Sequence, residues 1–177
     1  MQILSLVCGS LAVVLYLLCY QLKARRHIIL CNIISRVLYV LQYCLLGEFI
    51  GAVMDISAIP SSAIAGKKDH CAVRKFRIPI IISVNLVIIG LGIAFFKEWY
   101  SILAIFGVLF ETVALWFTKE NHIRVISLFG APFWLVYNLI CGAYASCIGN
   151  LLAICSIVIA LLRYKENNEG ANEKNKA

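Results

Sequence analysis

Three ionisable residues stand deep inside apolar stretches of this chain: Arg36, Asp55 and Glu111. If those stretches cross a bilayer, each charge costs about 3 kcal/mol or more at the membrane centre, so each is a candidate for function. Charges so placed can hold a charged group of a solute, carry a proton, or lock helices together as an ion pair. Arg36 can pair with either carboxylate. It can close the cytoplasmic side against Glu111 or hold an anionic group of a substrate; the structural alternative is an ion pair that joins two helix bundles. Asp55 can also carry a proton, which would couple transport to the proton gradient.

The elements that must position these residues follow from composition. Of the 177 residues, 62% are hydrophobic and 14% charged, and mean hydropathy is +0.90. Apolar residues make up only about half of a soluble domain, so here the excess must face lipid. Seven segments are long and apolar enough to be spans: 3–22, 28–46, 48–66, 78–96, 99–118, 122–140 and 143–163. The first carries no basic residues before it and reads as a span rather than a cleaved leader. Only Gly47-Glu48 separates spans two and three, and Gly142 separates six and seven, which predicts tight helical hairpins. Basic residues alternate in side. Lys23, Arg25 and Arg26 follow span one, and Lys67, Lys68, Arg74, Lys75 and Arg77 follow span three. Lys119 and Arg124 flank the turn after span five, and Arg163 and Lys165 follow span seven; the other side has Lys97. Positive residues lie cytoplasmic, which places the N-terminus outside and the C-terminus inside. The polar tail KENNEGANEKNKA has no apolar residue larger than Ala and is expected to be disordered.

Shifted by 95 residues, the two halves align without a gap. His27 falls on His122, Tyr39 on Trp134, Gly47 on Gly142, Asp55 on Asn150 and Ser61 on Ser156. The copies are spans one to three and five to seven. Span four links them, which gives both copies the same orientation, related by an axis along the membrane normal. Carriers built this way hold substrate between the halves near the midplane.

In span two, Asn32, Arg36, Tyr39 and Tyr43 share one helix face; in span six the equivalents are Ser127, Ala131, Trp134 and Asn138. In span three the face is Gly51, Asp55, Ala58 and Ser62, and in span seven Ser146, Asn150 and Ala153. Small residues there allow close helix packing or leave room for a ligand. The candidate substrate-binding residues are Asp55, Asn150, Tyr39, Trp134 and Asn138, with Arg36 and Glu111 as gate or ion pair. Gln42, Asn85 and Tyr137 are further possible lining. A site of aromatics and amides suits a small polar ring compound such as a sugar, nucleoside or vitamin.

Other chemistries find little purchase. The net charge of +7 sits between apolar runs and answers to topology and lipid phosphate, not nucleic acid. The eight cysteines form no CxxC and no zinc spacing with histidine, so no metal or cofactor is expected. No nucleophile stands beside a base in the sequence, and no nucleotide-binding glycine pattern occurs, so an enzyme is not expected.

Three helices, a linker helix and three more resemble the SWEET sugar transporters and the wider PQ-loop, MtN3-like group. A closer resemblance is to the YgjV family of bacterial inner-membrane proteins, carried by RRHIIL…YCLLGEFIGAVMD in the first half and PFWLVYNLICGAYASCIGN…LLRYK in the second. The resemblance implies an all-α membrane protein of the inner membrane: seven transmembrane helices as two parallel triple-helix bundles joined by a linker helix, a SWEET-like 3+1+3 arrangement. The first bundle is 1–66, the basic cytoplasmic loop and linker helix 67–98, the second bundle 99–163 and the tail 164–177. It also implies a polar pair near the substrate, one from the third helix of each bundle, and Asp55 and Asn150 occupy those places. The chain departs from SWEETs in two ways. Tyr20-Gln21 stands where PQ-loop proteins have Pro-Gln, and of their hinge prolines only Pro132 has a counterpart. The expected function is a carrier or facilitator for a small polar solute in the lipid bilayer, with a non-transporting scaffold, receptor or assembly subunit as the alternative.

Overall fold

The computed structural model describes residues 2–19, 25–67, 70–117 and 120–174, those at 19, 25–29, 120–121, 160 and 163–174 by backbone alone. The described residues form eight helices: α1 (Gln2–Cys19), α2 (Arg25–Leu46), α3 (Phe49–Gly66), α4 (Cys71–Lys75), α5 (Arg77–Ala94), α6 (Ser101–Ala114), α7 (Glu120–Ile140) and α8 (Tyr144–Lys174). The seven longer helices coincide with the seven apolar segments. Three are long and apolar enough to cross a membrane: Phe49–Gly66, Arg77–Ala94 and His122–Ile140. The other four carry shorter apolar stretches of 10–17 residues.

Two features differ from expectation. The basic loop contains α4, one short turn with Arg74 and Lys75 at its end, where basic side chains face the negative end of the helix dipole. The backbone of the tail, expected to be disordered, continues α8 to Lys174. No proline interrupts it, and extending an existing helix is far easier than starting one. Tyr20, Gln21, Lys23, Lys68 and Lys119 lie outside the described residues.

Both hairpins turn on the same device. Gly47 and Gly142 have φ of +78° and +70°, the left-handed region that a Cβ disfavours. After α2, Gly47 N–H donates to Cys44 O and Glu48 N–H to Tyr43 O; after α7, Gly142 N–H donates to Leu139 O and Ala143 N–H to Asn138 O. Each is a Schellman cap, which satisfies carbonyls the helix end would leave open. All four pairings map onto one another at the 95-residue offset.

Helix contacts repeat in the same way. α1 packs on α2 and α2 on α3; α6 packs on α7 and α7 on α8. α3 then packs on α6, and α8 on α1, so the six helices close on themselves. α5 rests against α3 and α6 and buries only Ile88 and Gly92. The outer surface is apolar: Leu4, Ile34, Ile56, Leu86, Ile102, Phe129 and Ile159 are all exposed. In water such a surface would aggregate; against lipid it costs nothing. The interior holds aromatic and polar side chains, with Tyr43, Gln42, Asp55, Thr112, Tyr137 and Asn138 all buried.

Candidate functional site

Arg36 sits where α2 meets α3 and α6, and all three guanidinium nitrogens are engaged. Nη1 bonds Asp55 Oδ1 at 2.7 Å, Nη2 bonds Glu111 Oε2 at 3.0 Å, and Nε donates to Asn32 Oδ1 at 3.3 Å. Arg36 is 6% exposed and Asp55 4%. The sequence left open which carboxylate Arg36 would take; it takes both. Two carboxylates on one guanidinium leave a formal charge of −1. Burying such a cluster is not in itself stabilising, because desolvation offsets the Coulomb gain, but removing one partner strands the others.

The triad forms one wall of a central cavity. Tyr39 and Tyr43 of α2, Trp134 and Asn138 of α7, Ser146 and Asn150 of α8 and Tyr16 of α1 also line it. All seven residues singled out as binding or gating candidates therefore meet in one place. Tyr43 stacks on Trp134 at 6.3 Å between ring centroids and donates its hydroxyl to Asn138 Oδ1 at 2.7 Å. The indole N–H of Trp134 is buried and finds no acceptor among the described residues. The space left inside is about 30 Å³. That admits a water or two, at a rough threshold of 10–15 Å³ each, and no sugar or nucleoside.

Of the further candidates, none lines this cavity. Asn85 accepts from Thr112 Oγ1 at 3.1 Å between α5 and α6. Tyr137 accepts from the Gly51 N–H, and Gln42 accepts from Ser146. The small face of α3 is used for packing at its outer end: a Cβ on Gly51 would lie 2.8 Å from Tyr137 Oη and 3.0 Å from the Tyr43 ring. Two lining residues went unnamed in the sequence, Tyr16 and Ser35. Ser35 bonds the carbonyl of Ala12 on α1 and is locally a helix–helix contact. Tyr16 had a signal, because the 95-residue offset places it on Glu111.

Three hydrogen bonds between the halves obey the repeat. Tyr43 and Asn138 are equivalent positions, so their bond spans the pseudo-axis itself. Gly51 N–H to Tyr137 Oη, 2.9 Å, and Ser146 Oγ to Gln42 Oε1, 2.7 Å, exchange with each other under the same offset. Residue i meeting j while j's equivalent meets i's is the signature of a two-fold interface, here within one chain.

Neither the curated proteins nor the solved structures contain a match to this chain. A family profile does match, over residues 3–168, and its description is bacterial inner membrane protein. That span reaches from the start of α1 well into α8 and takes in both glycine turns and every residue of the central site, and the chain belongs to the Imp-YgjV family of bacterial inner membrane proteins.

Proposed function

We propose that the protein is a seven-span carrier whose two three-helix halves, α1–α3 and α6–α8, are joined by α5 and hold a small polar solute between them. The N-terminus is outside and the C-terminus cytoplasmic. The observation that carries this reading is the central cavity. Charged, amide and aromatic side chains from six helices converge where a scaffold needs only apolar packing, and a buried indole N–H there goes unused. The remaining 30 Å³ makes this a closed conformation, with Arg36 occupying the room that a solute takes on opening. Asp55 and Asn150 face the cavity from α3 and α8, suited to orient hydroxyl or amide groups; Tyr39 and Trp134 suit a ring.

The same small volume favours a second reading, a static scaffold in which the triad ties α2, α3 and α6 together. Site accessibility separates the two without a known substrate. Asn150→Cys, in a background lacking the native cysteines, is treated in membrane vesicles with an impermeant thiol reagent from each side. A carrier that alternates exposes Cys at 150 to both faces. Labelling from neither face, with a loop cysteine labelled normally, would sink the carrier reading in favour of the scaffold.

A further inference from the structure

A recess much larger than the central cavity lies elsewhere in the molecule. It lies at the end that holds both glycine turns, between the start of α1, the end of α2 and the α7–α8 turn, and measures about 570 Å³. Its counterpart under the 95-residue offset, at the junction of α3 and α6, measures about 60 Å³. The difference has a cause in the sequence. At the filled junction Tyr100 packs on Tyr137 at 6.1 Å between centroids, and its hydroxyl reaches Glu48. At the open junction the equivalents are Ser5 and Gln42, with Ala143 in place of Glu48. Two aromatic rings present in one half are missing from the other. Charge is missing too: Lys97 and Glu98 correspond to Gln2 and Ile3, so among the described residues no ionised side chain lines the recess.

We propose that this recess is a binding site for a neutral planar ring compound carrying a hydrogen-bonding group, of the phenol, indole or nucleobase kind. Its volume falls inside the range of roughly 300–1,000 Å³ usual for small-molecule sites. Leu6, Leu46 and Tyr144 supply apolar walls. Ser5 and Gln42, 3% and 1% exposed, supply polar atoms at its depth. A lipid tail fits less well, because it has no group to use the Ser5 hydroxyl or the Gln42 amide. Gln42 is both a wall of the recess and the acceptor for Ser146, which lines the central cavity. The hydrogen-bonded pair Gln42–Ser146 thus stands between the two spaces. The inference does not rest on the carrier reading, since a static protein could bind the same ligands here.

The test is thermal unfolding of the purified full chain in detergent against rising phenol, indole or adenine, with cyclohexanol as the non-planar control. Binding to the native state raises Tm saturably. The expected result is a saturable rise with the planar compounds and one at least tenfold weaker in concentration with cyclohexanol. Ser5→Tyr restores the missing ring and should abolish the shift; Ile3→Trp, reaching in from an exposed position, is the second variant should Ser5→Tyr not fold. Asn150→Ala, which alters only the central cavity, should keep the shift, so failure of the carrier reading leaves this result intact. Absence of a saturable shift up to the solubility limit overturns the proposal, as does a full shift retained in the filled variant. A lipid found by native mass spectrometry on the parent protein and lost from Ser5→Tyr also overturns it, with an acyl chain as the occupant.

Discussion

Arg36 is the residue on which the central site turns. Replacing it with Met keeps volume but removes the guanidinium that Asp55 and Glu111 share, leaving Asp55 buried without it. Stranding a buried partner typically costs about 3–5 kcal/mol. We therefore expect Arg36→Met to lower stability by that order, measured by unfolding in mixed micelles. The triple variant Arg36→Met, Asp55→Asn, Glu111→Gln should recover most of the loss, since no charge then remains to strand. If the triple variant is stable and its position 150 still becomes accessible from both faces, the triad is a structural tie. If it is stable but locked, the charges drive opening. These three residues were legible in the sequence because a membrane charge is expensive whatever its surroundings. Ser35 was not, because a neutral hydroxyl is cheap enough to be placed anywhere on a helix, and Tyr16 was legible only through the offset that places it on Glu111.

At the scale of the helices, the two kinds of glycine make separable predictions. Gly47 and Gly142 have open space where a Cβ would go, so alanine there meets backbone strain alone. The left-handed region costs an L-residue about 1–2 kcal/mol, and Gly47→Ala and Gly142→Ala should each lose that much stability, equally in both halves. Gly51 has ordinary helical geometry, where alanine would by itself favour the helix. Its Cβ would instead strike Tyr137 Oη and the Tyr43 ring, and overpacking of this kind costs about 1–3 kcal/mol. Gly51→Ala should therefore be partly rescued by Tyr137→Phe, which deletes the nearest atom, while no such partner rescues Gly47→Ala. Thermal melts of the four variants suffice. The helices themselves were readable because apolar length and glycine punctuation are local properties. What the helices do to one another was not: whether Tyr137 faces the cavity or Gly51 depends on how α7 is rotated against α3, and no spacing within one helix encodes that. α4 was missed for the opposite reason, since its five residues are too few to show a period.

For the whole molecule, the repeat makes symmetry the frame and the departures from it the content. The backbone caps, the helix contacts and three inter-half hydrogen bonds keep the two-fold pattern; the charged side chains and their bonds, Arg36 to Glu111 and Tyr100 to Glu48, do not. Arg36 faces Ala131 under the offset, Asp55 faces Asn150, and Glu111 faces Tyr16, so every ionised member of the site comes from one side of the axis. Function in such a molecule is expected to be written in those differences, since a shared feature is explained well enough by shared packing. In the proposed seven-span arrangement, a two-fold axis along the membrane normal would leave both glycine turns on one membrane face and the segment around Cys71 on the other. Cys71 is an exposed free thiol in that segment. If basic residues mark the cytoplasm, an impermeant thiol reagent should modify Cys71 in inside-out vesicles and not in intact cells with the outer membrane opened. Lys97→Cys, at the opposite face, should show the reverse pattern. Both cysteines labelled from the same side would break the frame, because it would deny that α5 crosses the membrane, and without that crossing the two halves run antiparallel and the axis lies in the membrane plane.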